Sequence, residues 1–190
     1  VRWQEGTAVT AVTATDQPFV SVIIPVLNCA DDVDACISAL RAQDYPSDRF
    51  EILVVDNGST DHTVARLEAQ GISALHRAER GRSRALNEGL KHAKGTIICS
   101  TDISCRPELN WLSEIVDSFA DPSVGCVAGE IKLLKTRDNL AIRFQERNQY
   151  MSPMGAMQRT RPPFLPYADG ANASFRREVF EKIGPFEESF

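Results

Sequence analysis

The chain has 190 residues, 43% of them hydrophobic and 25% charged, with 26 acidic against 21 basic side chains for a net charge of -5. That size and balance suit one globular domain able to bury its own core. They exclude wholesale disorder, and they exclude a protein whose main task is to coat nucleic acid or an anionic membrane with positive charge.

Residues 1–18 contain the run Thr7-Ala-Val-Thr-Ala-Val-Thr-Ala without a sustained period and read as a flexible leader. The domain proper is expected over 19–190. Val20-Ser-Val-Ile-Ile-Pro25 is apolar and β-branched, as a strand covered on both faces should be. Residues 31–43 follow as a helix carrying Val33, Ile37 and Leu40 at helical spacing. Glu51-Ile-Leu-Val-Val-Asp56 is a second buried strand, and 60–70 a second helix. A short strand over 72–75 and a helix over 83–94 come next, the helix closed by Gly95 in a left-handed cap. Thr96-Ile-Ile-Cys-Ser-Thr101 is another strand, and Pro107 is placed in the first turn of a helix running to Phe119. After an apolar stretch at 124–128 the spacing predicts a helix over 138–150, a proline-rich flap over 152–166, a strand over 167–175, and a helix over 176–183 ending at Gly184. Repeated strand-helix units imply an α/β fold with a mostly parallel central sheet flanked by helices.

In such a sheet, ligands bind beyond the carboxyl ends of the strands. Two predicted strands end in an acid there, Asp56 and Asp102. Each carboxylate suits a ribose, a base or a metal bridging phosphates, and each equally suits capping of its own loop. Asn57-Gly58 supplies turn freedom, with Ser59 or Thr60 as caps for the next helix. Three arginines, Arg80, Arg82 and Arg84, crowd the start of the 83–94 helix, where free N–H groups already favour anions. They read either as a solvated basic turn or, near two acid-bearing strand tips, as a site for a diphosphate, which their concentration there favours.

The five cysteines, Cys29, Cys36, Cys99, Cys105 and Cys126, are odd in number and lack Cys-x-x-Cys spacing. Free thiols fit the reducing cytoplasm. No apolar run is long enough to span a bilayer, so membrane association is expected only through segments outside this chain. His62, His76 and His92 show no metal-ligand spacing and read as surface or packing residues; Trp111 reads as a core anchor.

Five segments in order carry a resemblance. Val20-Ser-Val-Ile-Ile-Pro-Val-Leu-Asn28, Val54-Val-Asp-Asn-Gly-Ser-Thr-Asp61, Ala85-Leu-Asn-Glu-Gly89, Thr101-Asp-Ile-Ser-Cys-Arg-Pro107 and 170–188 resemble family 2 glycosyltransferases. The resemblance implies a GT-A fold and a nucleotide-sugar donor, uridine-linked. It implies transfer with inversion to an acceptor hydroxyl, on a saccharide, a lipid-linked sugar or another molecule, and no nucleic-acid partner. It also implies a divalent metal, Mg²⁺ or Mn²⁺, held through an Asp-x-Asp motif. Carried over residue by residue, Pro25 and Asn28 line the nucleotide pocket, Asp56 faces the base, and Arg82 and Asn87 lie near the base or diphosphate. Asp102 meets the ribose or the metal, and Asp169 and Asn172 stand on the acceptor side.

Two departures alter those expectations. The motif reads Asp102-Ile-Ser104, so a neutral hydroxyl replaces the second acid. Either metal binding is weakened, or Asp102 and the diphosphate hold the ion with water, or a cation such as Arg82 or Arg106 takes over. The family's general base falls beyond Phe186-Glu-Glu-Ser-Phe190, so the chain reads as C-terminally incomplete. The rival reading is a degenerate nucleotide-sugar-binding module without turnover. A sugar-nucleotidyltransferase is disfavoured because Val26-Leu-Asn-Cys-Ala30 is not the Gly-rich basic loop that class needs, and a dinucleotide dehydrogenase because no Gly-x-Gly-x-x-Gly follows a strand.

Overall fold

A near-continuous apolar strand needs cover on both sides, and β1 (Val20–Val26) receives it. In a computed structural model, which describes residues 17–77, 79–132 and 169–189, β1 is the third strand of a six-stranded sheet. The elements that follow it are α1 (Ala30–Arg41), β2 (Phe50–Asp56), α2 (Thr63–Ala69), β3 (Leu75–His76) and α3 (Arg82–His92). Then come β4 (Ile97–Thr101), α4 (Trp111–Ser118), β5 (Cys126–Ala128), β6 (Asn172–Arg176) and α5 (Arg177–Ile183). The sheet order is β3-β2-β1-β4-β6-β5. The first four strands in that order are mutually parallel, and β6 runs antiparallel to both β4 and β5. The leader through residue 16, the 138–150 helix and the 152–166 flap lie outside the described residues.

Alternate residues of β1 feed two cores. Val20, Val22, Ile24 and Val26 pack with Val33, Ile37, Leu40, Leu67, Leu112 and Phe119 on one face. Ile23 packs with Val55, Ala85, Leu86 and Ile98 on the other. Phe180 and Phe186 join this second core, their ring centroids 5.1 Å apart and tilted by 58°, with Phe175 edge-on to both. Cys36 and Cys99 are buried in the first core, and burial pushes both thiols up to about 12. They behave as small hydrophobes.

α3 lies close against β1 because Gly89 has no side chain. A Cβ there would stand 2.4 Å from Ile23 Cγ2. Ile23 is fully buried and β-branched, so it cannot rotate away cheaply. Alanine in place of glycine gains about 1 kcal/mol of helix propensity, but overpacking costs about 1–3 kcal/mol. We expect Gly89→Ala to lower the urea unfolding midpoint; a raised midpoint would show that α3 sits more loosely than its packing implies.

The structure shifts several expected boundaries. Gly95 is not a left-handed cap: the helix ends through Ala93 in an extended conformation, and Gly95 is absent from the positive-φ glycines. Its requirement is steric, since a Cβ would meet Ser21 N at 2.5 Å and two carbonyl oxygens at 2.7 Å. Pro107 precedes α4 rather than opening it. The carbonyls of Glu108 and Leu109 are instead tied to Gln43 Nε2 (2.7 Å) and Asp44 N (2.9 Å), which fixes this stretch as a loop against the end of α1. α2 begins at Thr63, not at 60, and neither Ser59 nor Thr60 caps it. β3 is displaced to Leu75–His76, because Ile72 N is used to close α2 on Leu67 O at 2.9 Å. β6 begins only at Asn172, after a turn closed by Asn172 N on Asp169 O at 2.9 Å.

Candidate functional site

Strand order reverses at β1: the chain proceeds outward through β2 and β3, then returns to place β4 on β1's other side. Ligand crevices form at such reversals. Registered pairing of β1 with β4 ends at Ile23↔Ser100, and Pro25, with no N–H to donate, lies just beyond. On the other flank Val26 pairs with Asp56, so the first acid emerges beside the tip of β1. Asp102 follows Thr101, the last residue of β4. Both acids therefore project from the same end of the sheet, one on each side of β1.

Asp56 is only 2% exposed. Its Oδ1 accepts a hydrogen bond from Ser59 N at 3.1 Å, and His76 Nδ1 stands 3.3 Å from Oδ2. The register Asp56↔His76 between β2 and β3 brings that ring alongside. Asn28 adopts φ 51, a left-handed conformation that asparagine tolerates better than most residues. Its Oδ1 accepts from Thr60 N at 2.8 Å, and its own N–H donates to Ser59 Oγ at 3.0 Å. Asp61 accepts from Ala30 N at 3.3 Å and from the Thr63 hydroxyl, and the Thr63 hydroxyl and amide hold its carboxyl below the usual range. These bonds sew the β1–α1 and β2–α2 loops into one rim.

Gly81 N extends the rim by donating to Asn57 Oδ1 at 3.1 Å, which sets where α3 begins. Arg82, the first residue of α3, sends its guanidinium across to Asp102, with Nη1 donating to Oδ1. Gly170 lies beneath this side chain; a Cβ there would stand 2.9 Å from Arg82 Nη2. Pro25, Asn28, Asp56, Arg82 and Asp102 thus belong to one continuous edge of the sheet.

The remaining predicted residues are committed elsewhere. Asn87 is buried, and its amide is fully used: Nδ2 donates to Phe186 O (2.8 Å) and Glu188 Oε1 (2.7 Å), while Oδ1 accepts from Phe186 N (2.9 Å). It fastens the segment after α5 onto α3. Asn172 pairs with Thr101 in register, beside Asp102, but its side chain accepts from Trp111 Nε1 at 2.9 Å and donates to Glu130 O at 3.1 Å. Asp169 Oδ1 accepts from Ala171 N at 2.9 Å and shapes the turn that presents Gly170. Arg106 donates to Asp32 Oδ1 at 2.8 Å and to the carbonyls of Ile103 and Cys105, bracing the β4–α4 loop against α1. Ser104 is exposed.

This donor set does not fit an ordinary Mg²⁺ or Mn²⁺ site. It offers one carboxylate, with an oxygen already engaged by Arg82, and one neutral hydroxyl. Among the described residues no group of three or more His, Cys, Asp or Glu side chains is placed to hold an ion.

Sequence reasoning missed His76 and Gly170. His76 shows itself only once β3 is registered one residue further along. Gly170 has an ordinary motif position and reveals its role only through the guanidinium packed on it.

A mostly parallel sheet with acids at the tips flanking its switch-point strand is the GT-A glycosyltransferase architecture. Residues 21–184 match the model of glycosyl transferase family 2, and the chain belongs to that family. It is 31% identical over 175 residues to glycosyltransferase AglE of Haloferax volcanii, covering 89% of this chain and 56% of AglE. It is 30% identical over 140 residues to a beta-monoglucosyldiacylglycerol synthase of Synechocystis, covering 70% of this chain and 28% of the synthase. Among solved structures, the mannosyltransferase PcManGT from Pyrobaculum calidifontis, in complex with GDP-Man and Mn²⁺, superposes with a TM-score of 0.72 at 30% identity, covering 92% of this chain and 49% of that one. The chain therefore spans about half the length, or less, of these relatives. Among the described residues no helix is long and apolar enough to cross a membrane.

Proposed function

We propose that this chain forms the donor-binding part of an inverting glycosyltransferase that takes a sugar from a UDP-sugar and gives it to an acceptor hydroxyl. The observation that carries this reading is the placement of Asp56 and Asp102 at the tips of the two strands flanking β1, with Arg82 reaching across to Asp102. Asp56 accepts an N–H of the base. Ser59 N keeps its bond, nearer to Oδ1 (3.1 Å) than to Oδ2 (3.3 Å), while His76, whose side chain is 70% exposed, gives up its place at Oδ2. Pro25 and Asn28 wall the nucleotide, and Asp102 accepts from the ribose hydroxyls. Arg82 stabilises negative charge as the nucleoside diphosphate departs, a fixed cation being most effective where charge develops.

Asp169 and Asn172 shape the acceptor side by building the Gly170 turn rather than by direct contact. The acceptor class, a saccharide, a lipid-linked sugar or another alcohol, takes its support from relatives such as the beta-monoglucosyldiacylglycerol synthase. Five free thiols support a reducing cytoplasmic setting. Calorimetric titration with UDP, GDP, ADP and CDP tests the donor reading. UDP is expected to bind most tightly. A GDP preference would replace the base assignment, and binding of none of the four would overturn the site.

A further inference from the structure

We propose that Arg82 takes the place of the divalent cation at the donor diphosphate, so that this chain binds a nucleoside diphosphate without metal. The inference rests on the donor reading above and adds how that site is neutralised.

Three observations lead to it. The Arg82 guanidinium bonds the very carboxylate, Asp102, that an Asp-x-Asp motif would turn toward an ion. The second acid of that motif is replaced by Ser104, which removes one negative charge and leaves the Arg82–Asp102 pair balanced by itself. A divalent ion added there would face a guanidinium and a single carboxylate, and the like charges would repel. Finally, Arg82 is set in place from several sides: it opens the eleven-residue helix α3, its guanidinium packs on Gly170, and its head is held by Asp102.

The side chain is 44% exposed, so donors beyond the one used on Asp102 are open to a ligand. Guanidinium presents five N–H groups in a planar fork suited to phosphate oxygens and never loses its charge in the working pH range. The free N–H groups of the α3 N-terminus lie beside it and favour the same anion. Three of the neighbouring cations are already engaged, while Arg80 is exposed. Arg106 is spent on Asp32 (2.8 Å), Arg84 on Glu79 (2.8 Å), and Arg77 on Glu88 (3.2 Å). Gly170 completes the arrangement, because a Cβ there would stand 2.9 Å from Arg82 Nη2 and the guanidinium would have to shift.

The test is calorimetric titration of the chain with UDP and with uridine, each in EDTA and in excess Mn²⁺. Wild type is expected to bind UDP in EDTA with an affinity within about twofold of that in Mn²⁺. Arg82→Gln is expected to weaken UDP binding about tenfold to a hundredfold in EDTA, the range for losing a charge-assisted hydrogen bond, while uridine binding holds. Arg82→Lys, which keeps the charge without the fork, should fall between. Ser104→Asp should introduce a gain in UDP affinity on adding Mn²⁺. Binding of UDP to wild type only in Mn²⁺, or an unchanged Arg82→Gln in EDTA, would overturn the inference and leave the donor site standing. Failure of wild type to bind either uridine or UDP would remove the donor site itself.

Discussion

Asp56→Ala is expected to reduce nucleoside diphosphate affinity by about tenfold to a hundredfold. Loss of a hydrogen bond to a charged group costs about 1.5–3 kcal/mol, and each 1.4 kcal/mol is about tenfold in affinity. The substitution does more than delete the acceptor for the base. It leaves Ser59 N without its partner, and Ser59 Oγ and Thr60 N are the groups that hold Asn28. Both flanks of the β1 tip should therefore loosen together. Asp56→Asn separates the two effects, since its remaining carbonyl oxygen still accepts from Ser59 N, yet it lacks the charge that favours a base N–H. Calorimetry on both variants, with thermal unfolding as the control for folding, decides the matter. If a folded Asp56→Ala variant binds within twofold of wild type, the base does not rest on this carboxylate.

The largest loss of stability should come from Gly95→Ala. The added carbon would meet Ser21 N, Ile97 O and Phe19 O at 2.5–2.7 Å, and all three are backbone atoms at the β1–β4 junction. Backbone cannot step aside as a side-chain tip can, so strands at the centre of the sheet must move apart. Gly95 N also donates to Ser21 Oγ at 2.8 Å, a bond that the same movement breaks. We expect a cost of about 4 kcal/mol or more, in the range reserved for core disruption, read as a fall in the urea midpoint. Gly58→Ala is the comparison: its φ of 91° is strained for alanine, but nothing lies within 4 Å. That variant should lose only about 1–2 kcal/mol. Equal losses in the two would mean that conformational freedom, not space, sets the need for glycine at 95.

Much of the architecture was legible along the chain. Val20–Val26 is apolar but for Ser21 and Ile97–Thr101 opens on the apolar run Ile97-Ile98-Cys99, a pattern that suits a doubly covered strand, and both formed at the centre of the sheet. Val33, Ile37 and Leu40 foretold the buried face of α1. Asp56 and Asp102 stood out because two different strands each close on an acid at the ligand-binding end of the sheet, where one acid alone would equally suit its own loop. What failed locally failed where a distant partner decides. Pro107 has the look of a first-turn proline, yet Gln43 and Asp44, more than sixty residues earlier, claim the carbonyls that follow it. Gly95 has the look of a helix cap, yet its demand comes from β1. Cap and turn signals act over a few residues, and a stronger contact from elsewhere in the fold overrides them.

By itself, then, the order of residues determined the alternation of strands and helices, the parallel sheet and the two acids at its ligand-binding end. Those follow from periodicity and local chemistry, which act within one segment. Only the tertiary structure decided which polar groups remain open for a ligand: Asn87 is consumed by Phe186 and Glu188, Arg106 by Asp32, and Arg82 is left facing Asp102. A side chain's hydrogen bonds depend on what folding brings within about 3 Å, and those partners lie up to 101 residues away along the chain.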